Sequence, residues 1–383
     1  MSYEYLQEDV IPVKLCKVVG RIEERVVQLS EKDEERAMRL HQESIVIDFH
    51  NHLTVLPEDP KDIETLARSG RPATGFEGVK NSGMTACLHG FGGSMGRRSS
   101  PTPWQFNDVI WDMGIRQADM DHHQDVVMRG YSVKDILEAK KSGKTAVIPH
   151  IENAQLIDND LDRLDMLYGL GVRCMGLTYN TRTTIADGCT ERTDCGLSSF
   201  GFKVIERMNR LGMLIDLSHS SHIATKETIE ASKAPCCCTH TFAQGVYNNP
   251  RGKSDDLLKL LTKRGGLIGV AAVPNLISNK EVQTVFDVID HVDYLVKLVG
   301  IDHVAIGTDA MFGDHVGLHK YVRGIMDMTI ALKELPATHV EYIENPGQFP
   351  NITRALVARG YSDDEIKKII GGNVLRLLEK TIG

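Results

Sequence analysis

Eight short apolar, β-branched runs recur along the chain, each followed by a polar loop and most by a longer segment with apolar residues at helical spacing. They occupy residues 44–50 ("SIVIDFH"), 84–90, 145–153, 172–179, 214–219, 234–240, 267–272 and 303–309. Their apolar character is nearly continuous rather than alternating, which predicts strands covered on both faces, as in a parallel sheet. Between several of them lie segments that read as helices, such as "SSFGFKVIERMNRLG" and "TVFDVIDHVDYLVKLVG". Eight such units closing on themselves make a (β/α)8 TIM barrel, the fold class expected here, with helical additions at both ends. Residues 21–43 contain no Gly or Pro and space their apolar positions helically, so 1–43 reads as a helical lead-in, 44–310 as the barrel and 311–383 as C-terminal helices. No linker, repeat or low-complexity stretch divides the chain, and 1–383 is expected to form a single catalytic domain.

Composition narrows the class. Of 383 residues, 25% are charged and 42% hydrophobic, and the formal net charge of −8 argues against non-specific binding to nucleic acid or anionic membranes. The expected partners are small molecules. The first residues lack a basic segment followed by an apolar one, and no later run approaches spanning length, so a cytoplasmic protein without membrane association is expected. Three of the eight cysteines are consecutive, Cys236 to Cys238, where strand neighbours face opposite ways; reduced thiols serving as small core residues fit that placement.

Polar chemistry gathers where a barrel of this kind places its catalytic groups, at the carboxyl ends of strands. His50 and His52 lie two apart, hence on one strand face, and can share a divalent metal. Later strand ends carry Glu152, Tyr179, His219, His240 and Asp309. Four imidazoles and two carboxylates at one rim cost desolvation unless something pairs them, and two metal ions would do so. His50, His52 and Glu152 would hold one, and Glu152, His219 and His240 the other. His222 reads as a flanking residue, the His122/His123 pair as a solvated helix face, and Cys238 as filler on the strand face of His240. "GFGGSMG" matches no phosphate-loop spacing and reads as a mobile loop over the site.

The segments "LIDLSHSSH", "EASKAPCCCTHTFAQGVYNNPRG", "DHVAIGTD", "GLSSFG" and "IIGGNVLRLLE" resemble, in order and spacing, the renal (membrane) dipeptidase family of binuclear zinc peptidases; "LTYNTRTTIADG" is similar to its bacterial members. The resemblance runs from about Arg39 to Lys380. It implies two zinc ions, or other divalent metals in their place, and hydrolysis of dipeptides, including some with a C-terminal D-residue. By position it implies metal ligation by His50, His52, Glu152, His219 and His240. It also implies proton transfer by Asp309, recognition of the substrate carboxylate by Arg251, and a substrate-facing Tyr179, where membrane-anchored members have histidine. His52 stands where the family usually has aspartate. A related amidohydrolase acting on a lactam, a cyclic or a modified dipeptide is the alternative, and a non-catalytic metal-binding barrel the weaker one. Assembly as a homodimer is left open.

Overall fold

The computed structural model describes residues 1–326 and 336–383. Its centre is a parallel sheet in which eight strands pair in chain order: β1 (Ile47–Asn51), β2 (Ala86–Gly90), β3 (Thr145–Ile151), β4 (Cys174–Gly176), β5 (Leu214–Asp216), β6 (Cys237–Thr241), β7 (Leu267–Val270) and β8 (Val304–Ile306). The sheet curls until its edges meet. Asp309 N donates to His50 O at 2.8 Å and His52 N to Ala310 O at 2.9 Å, so the seam is joined at the carboxyl ends of the strands. The result is a nearly closed (β/α)8 barrel. A further short strand, Val127–Arg129, pairs with the first half of β3, beyond which β4 takes the same edge.

Inside the barrel, Ile47, Phe49, Ala86, Leu88, Ala146, Ile148, Leu214, Cys237 and Leu267 form one buried cluster, closed from the amino-terminal side by Val374, Leu377 and Leu378. The outer strand faces join a larger cluster with the surrounding helices. Small residues set how tightly the strands converge: a Cβ on Gly269 or on Gly307 would fall 1.9 Å from Thr239 O.

The helices begin where the chain supplies a cap. Ser198 accepts from Gly201 N and Ser221 from Ala224 N, while Thr284 and Asp287 form a reciprocal capping box. Capping also corrects the lead-in. The helix covers only Glu31–Glu43, starting at Ser30, which accepts from Asp33 N; residues 21–30, with β-branched Val26 and Val27, are not helical despite their spacing. The C-terminal segment differs as well. The stretch that reads as one helix is broken at 368–372, because Gly371 presses against the chain entering β1, where a Cβ would lie 2.1 Å from Ile45 O and 2.8 Å from Ile47 N. Among the described residues no helix is long and apolar enough to cross a membrane.

Candidate metal centre

Two buried aspartates shape the rim. Asp48 in β1 accepts from Thr308 N (2.8 Å) and Thr308 Oγ1 (2.6 Å), tying β1 to the end of β8 directly below His50. Asp216 in β5 does the same for β6, accepting from Ser218 N, Thr239 N and Thr239 Oγ1 at 2.8–3.0 Å, which orients the turn carrying His219 and the strand carrying His240. Burial pushes the Asp48 carboxyl up to about 7 against the hydrogen bonds from Thr308.

Around Glu152 the four predicted histidines converge through Nε2. His52 lies 3.5 Å from Glu152 Oε1, while His219, His240 and His50 lie 3.3, 3.6 and 3.8 Å from Oε2. Asp309 Oδ1 is 3.3 Å from His52 Nε2 and 3.6 Å from His50 Nε2. Two ligands each about 2.0–2.1 Å from one tetrahedral ion sit about 3.4 Å apart, the spacing seen here. Among the described residues two sets meet the reach of a single ion, His50 with His52 and Asp309, and His50 with Glu152 and His240. The first differs from expectation in bringing Asp309 within ligand distance.

The protonation states suit a metal. Burial pushes His50 down to about 3, and burial, reinforced by neighbouring positive groups, holds His219 and His240 well below the ordinary range, so these imidazoles are neutral with Nε2 lone pairs available. Burial raises Glu152 to about 7, while His52, which burial alone would lower, is held up by Asp309 and Glu152. The far ring nitrogens are occupied: His219 Nδ1 meets Asn180 Oδ1, His240 Nδ1 meets Thr239 Oγ1 and His50 Nδ1 meets His150 Nδ1, each at 2.8 Å. Neutral imidazoles, oriented from behind and gathered on a shared carboxylate, fit divalent metal ions.

Arg251 is buried beside His219, its Nη2 3.1 Å from His219 Nε2 and 2.9 Å from His240 O, with a further bond to Ser218 O. Tyr179 stacks on His219 with ring centroids 4.1 Å apart. All eight predicted site residues therefore meet at one rim. His150 was absent from that prediction, although it is two residues before Glu152, the same spacing as His50 and His52, and period two would have found it. Its Nε2 lies 3.4 Å from Asp216 Oδ2.

Other readings are corrected. Cys238 does not share a face with His240: the pairing of β6 with β7 slips by a residue between them, and Cys238 packs outward with Ile268 and Val270. The loop after β2 does line the site, through Gly93, Ser94 and Met95, but it is tied down rather than loose. Gly92 N donates to Asp112 Oδ2, Ser99 N and Ser100 N donate to Asp108, and buried Arg97 bonds Pro101 O, Glu64 and Tyr321. His123 is not on a solvated face but stacks on Phe76, whereas His222 lies on the surface 3.5 Å from Asp256, as a flanking residue should.

Comparison with known proteins places this geometry. The chain is 31% identical over 243 residues to dipeptidase 3 of Rattus norvegicus, covering 62% of this chain and 45% of that protein, and 28% identical over 278 residues to dipeptidase 3 of Homo sapiens, covering 70% and 52%. It thus spans about half the length of these curated relatives. Among solved structures, an amidohydrolase from Pseudomonas aeruginosa superposes with a TM-score of 0.77 at 28% identity, over 90% of this chain and 98% of that one. A metallopeptidase from Rhodobacter sphaeroides, solved with a phosphinate mimic of L-Ala-D-Ala, shares the fold with a TM-score of 0.71 at 20% identity, over 88% and 100%. The model of the membrane dipeptidase family, peptidase family M19, matches residues 34–330 and 320–382, and the chain belongs to that family.

Proposed function

We propose that this protein is a binuclear zinc hydrolase that cleaves the peptide bond of dipeptides, those with a C-terminal D-residue included. The observation that carries the reading is Glu152, whose two oxygens face His52 on one side and His219 and His240 on the other. The Rhodobacter neighbour's dipeptide mimic supports the substrate class.

When bound, the metal pair supplies a water acidic enough to lose its proton near neutral pH and polarises the scissile carbonyl. The rest falls to the chain's own residues. Asp309 Oδ1, ionised and projecting from a left-handed backbone position (φ 55°), receives the proton of the attacking water and returns it to the leaving amine. Arg251 binds the terminal carboxylate next to His219, which restricts substrates to short peptides. Tyr179, its phenol held well above the usual range by burial, stays protonated and can donate to the substrate carbonyl.

The test combines elemental analysis with a panel of L,L, L,D and cyclic dipeptides. About two zinc per chain and release of free amino acids from the linear dipeptides are expected, with both lost in Glu152→Ala. Full metal content in that variant would remove the bridging role, and cleavage of only the cyclic compounds would replace the substrate class.

A further inference from the structure

On the side of the cluster bounded by His52 and Asp309 the barrel mouth narrows to a cavity of about 40 Å³, lined among others by Met95, Trp104, Arg116, Leu318, His319 and Val322. His319, Leu318 and Val322 come from the helix His315–Met326, where spacings of three and four residues turn them to one face. Glu152 and Tyr179 also border it, whereas Arg251, His219 and His240 do not, so the cavity reaches the shared carboxylate from the His52 side rather than from the Arg251 side.

Three observations single out Trp104. It is buried, at 2% exposure, yet its indole Nε1 has no hydrogen-bond partner among the described residues, whereas buried N–H donors are nearly always paired. Its backbone sits at φ 53°, a left-handed conformation that a bulky side chain rarely adopts and that tends to persist at functional sites. Its ring also lies beside the metal ligands: a Cβ on Gly93 would lie 3.9 Å from Trp104 Cζ2 and 4.0 Å from Glu152 Oε1, and the indole packs on Tyr179 with ring centroids 4.4 Å apart. His319 lines the same cavity, and its Nδ1 is likewise buried and unpartnered among the described residues.

We propose that Trp104 Nε1 and His319 Nδ1 form a polar subsite for the side chain of the substrate's N-terminal residue, selecting a short side chain that ends in an acceptor oxygen, the carboxamide of asparagine or the carboxylate of aspartate. The inference rests on the dipeptidase reading, which sets the carboxyl end of the substrate at Arg251. Length follows from volume, since about 40 Å³ has room for only a few water molecules. Polarity follows from the indole N–H, which can only donate, and from His319 Nδ1, which donates in its Nδ1–H tautomer, because a site built to hydrogen-bond its ligand discriminates strongly against an isostere that leaves them unpaired.

Asn-Ala, Asp-Ala and Leu-Ala separate the possibilities, Leu being near-isosteric with Asn and Asp. The metal-loaded enzyme is expected to prefer Asn-Ala or Asp-Ala over Leu-Ala by about tenfold or more in kcat/KM, and the ratio between the first two distinguishes carboxamide from carboxylate. Trp104→Phe keeps the aromatic ring and removes only the N–H; it should cost about tenfold on the preferred substrate and less than about twofold on Leu-Ala, with His319→Leu acting in the same direction. Equal losses on all three, or a native preference for Leu-Ala, overturns the subsite. A second readout separates it from the dipeptidase reading. The chain has two tryptophans, so in Trp111→Phe the fluorescence reports Trp104 alone, and non-hydrolysable phosphinate analogues of Asn-Ala and Leu-Ala can be titrated against it. Tighter binding of the Asn analogue without hydrolysis of any dipeptide would uphold the subsite and sink the activity; hydrolysis without discrimination would do the reverse.

Discussion

His52→Asp places a carboxylate where the imidazole stands, 3.3 Å from Asp309 and 3.5 Å from Glu152, and makes the metal centre one charge unit more negative. Added negative charge stabilises the protonated form of the attacking water, so its pKa rises and the acidic limb of kcat/KM moves to higher pH. Two unit charges about 4 Å apart interact by roughly 4 kcal/mol at an effective dielectric of 20, equivalent to about three pH units; that is the ceiling, and a shift of one to two units is expected once the neighbouring carboxylates and solvent relax. The assay is a pH profile of kcat/KM for native and variant enzymes, each with metal content measured on the same preparation. Aspartate should retain the metals, so the comparison is between loaded enzymes. A variant that kept its metals and activity while its acidic limb stayed in place would refute the electrostatic argument. Metal loss in His52→Asp with retention in His52→Ala would refute ligation itself.

Arg251→Met should lower kcat/KM for free dipeptides by about 2–5 kcal/mol and for dipeptide amides by much less; equal losses would confine Arg251 to its bonds with Ser218 O and His240 O. Asp108→Ala frees Ser99 N and Ser100 N and should destabilise the loop after β2 by about 1–3 kcal/mol, visible as earlier proteolysis within residues 90–104 and a raised KM. His41, buried between Thr353 Oγ1 and Ser82 O, is pushed by burial down to about 4. Its folded-state value is depressed, so its contribution to stability is present above the ordinary 6.5 and lost as pH falls from there towards 4; denaturation curves between pH 7 and 4 should slope less steeply in His41→Gln.

The barrel is legible in the sequence because strands covered on both faces leave contiguous apolar runs, and the rim is legible because, apart from Asp48 and Asp216, the acids and histidines in those runs gather at their ends. What escapes has a physical reason in each case. Val127–Arg129 has no longer apolar run around it, being cut short by Arg129 and Gly130, and it pairs only with the first half of β3. The boundary of the first helix is set by Ser30 rather than by the apolar spacing before it, and the break at Gly371 is imposed by the approach of β1, a tertiary demand no local pattern records. The bulge that separates Cys238 from His240 reverses the face that alternation assigns. Trp104 lies in a loop without periodicity, so only burial, backbone angle and the unpaired indole mark it.

The seam of the barrel bears on the order of events during synthesis. His50 is made early, but its place is set by Asp48 gripping Thr308 and by Asp309 N reaching His50 O, groups some 260 residues later in the chain. Until β8 has left the ribosome, His219, His240 and Glu152 can assemble only against an open sheet edge. Loading with metal is therefore a late step of maturation, and a nascent chain stalled before Val304 should bind zinc no better than an unfolded peptide with the same histidines.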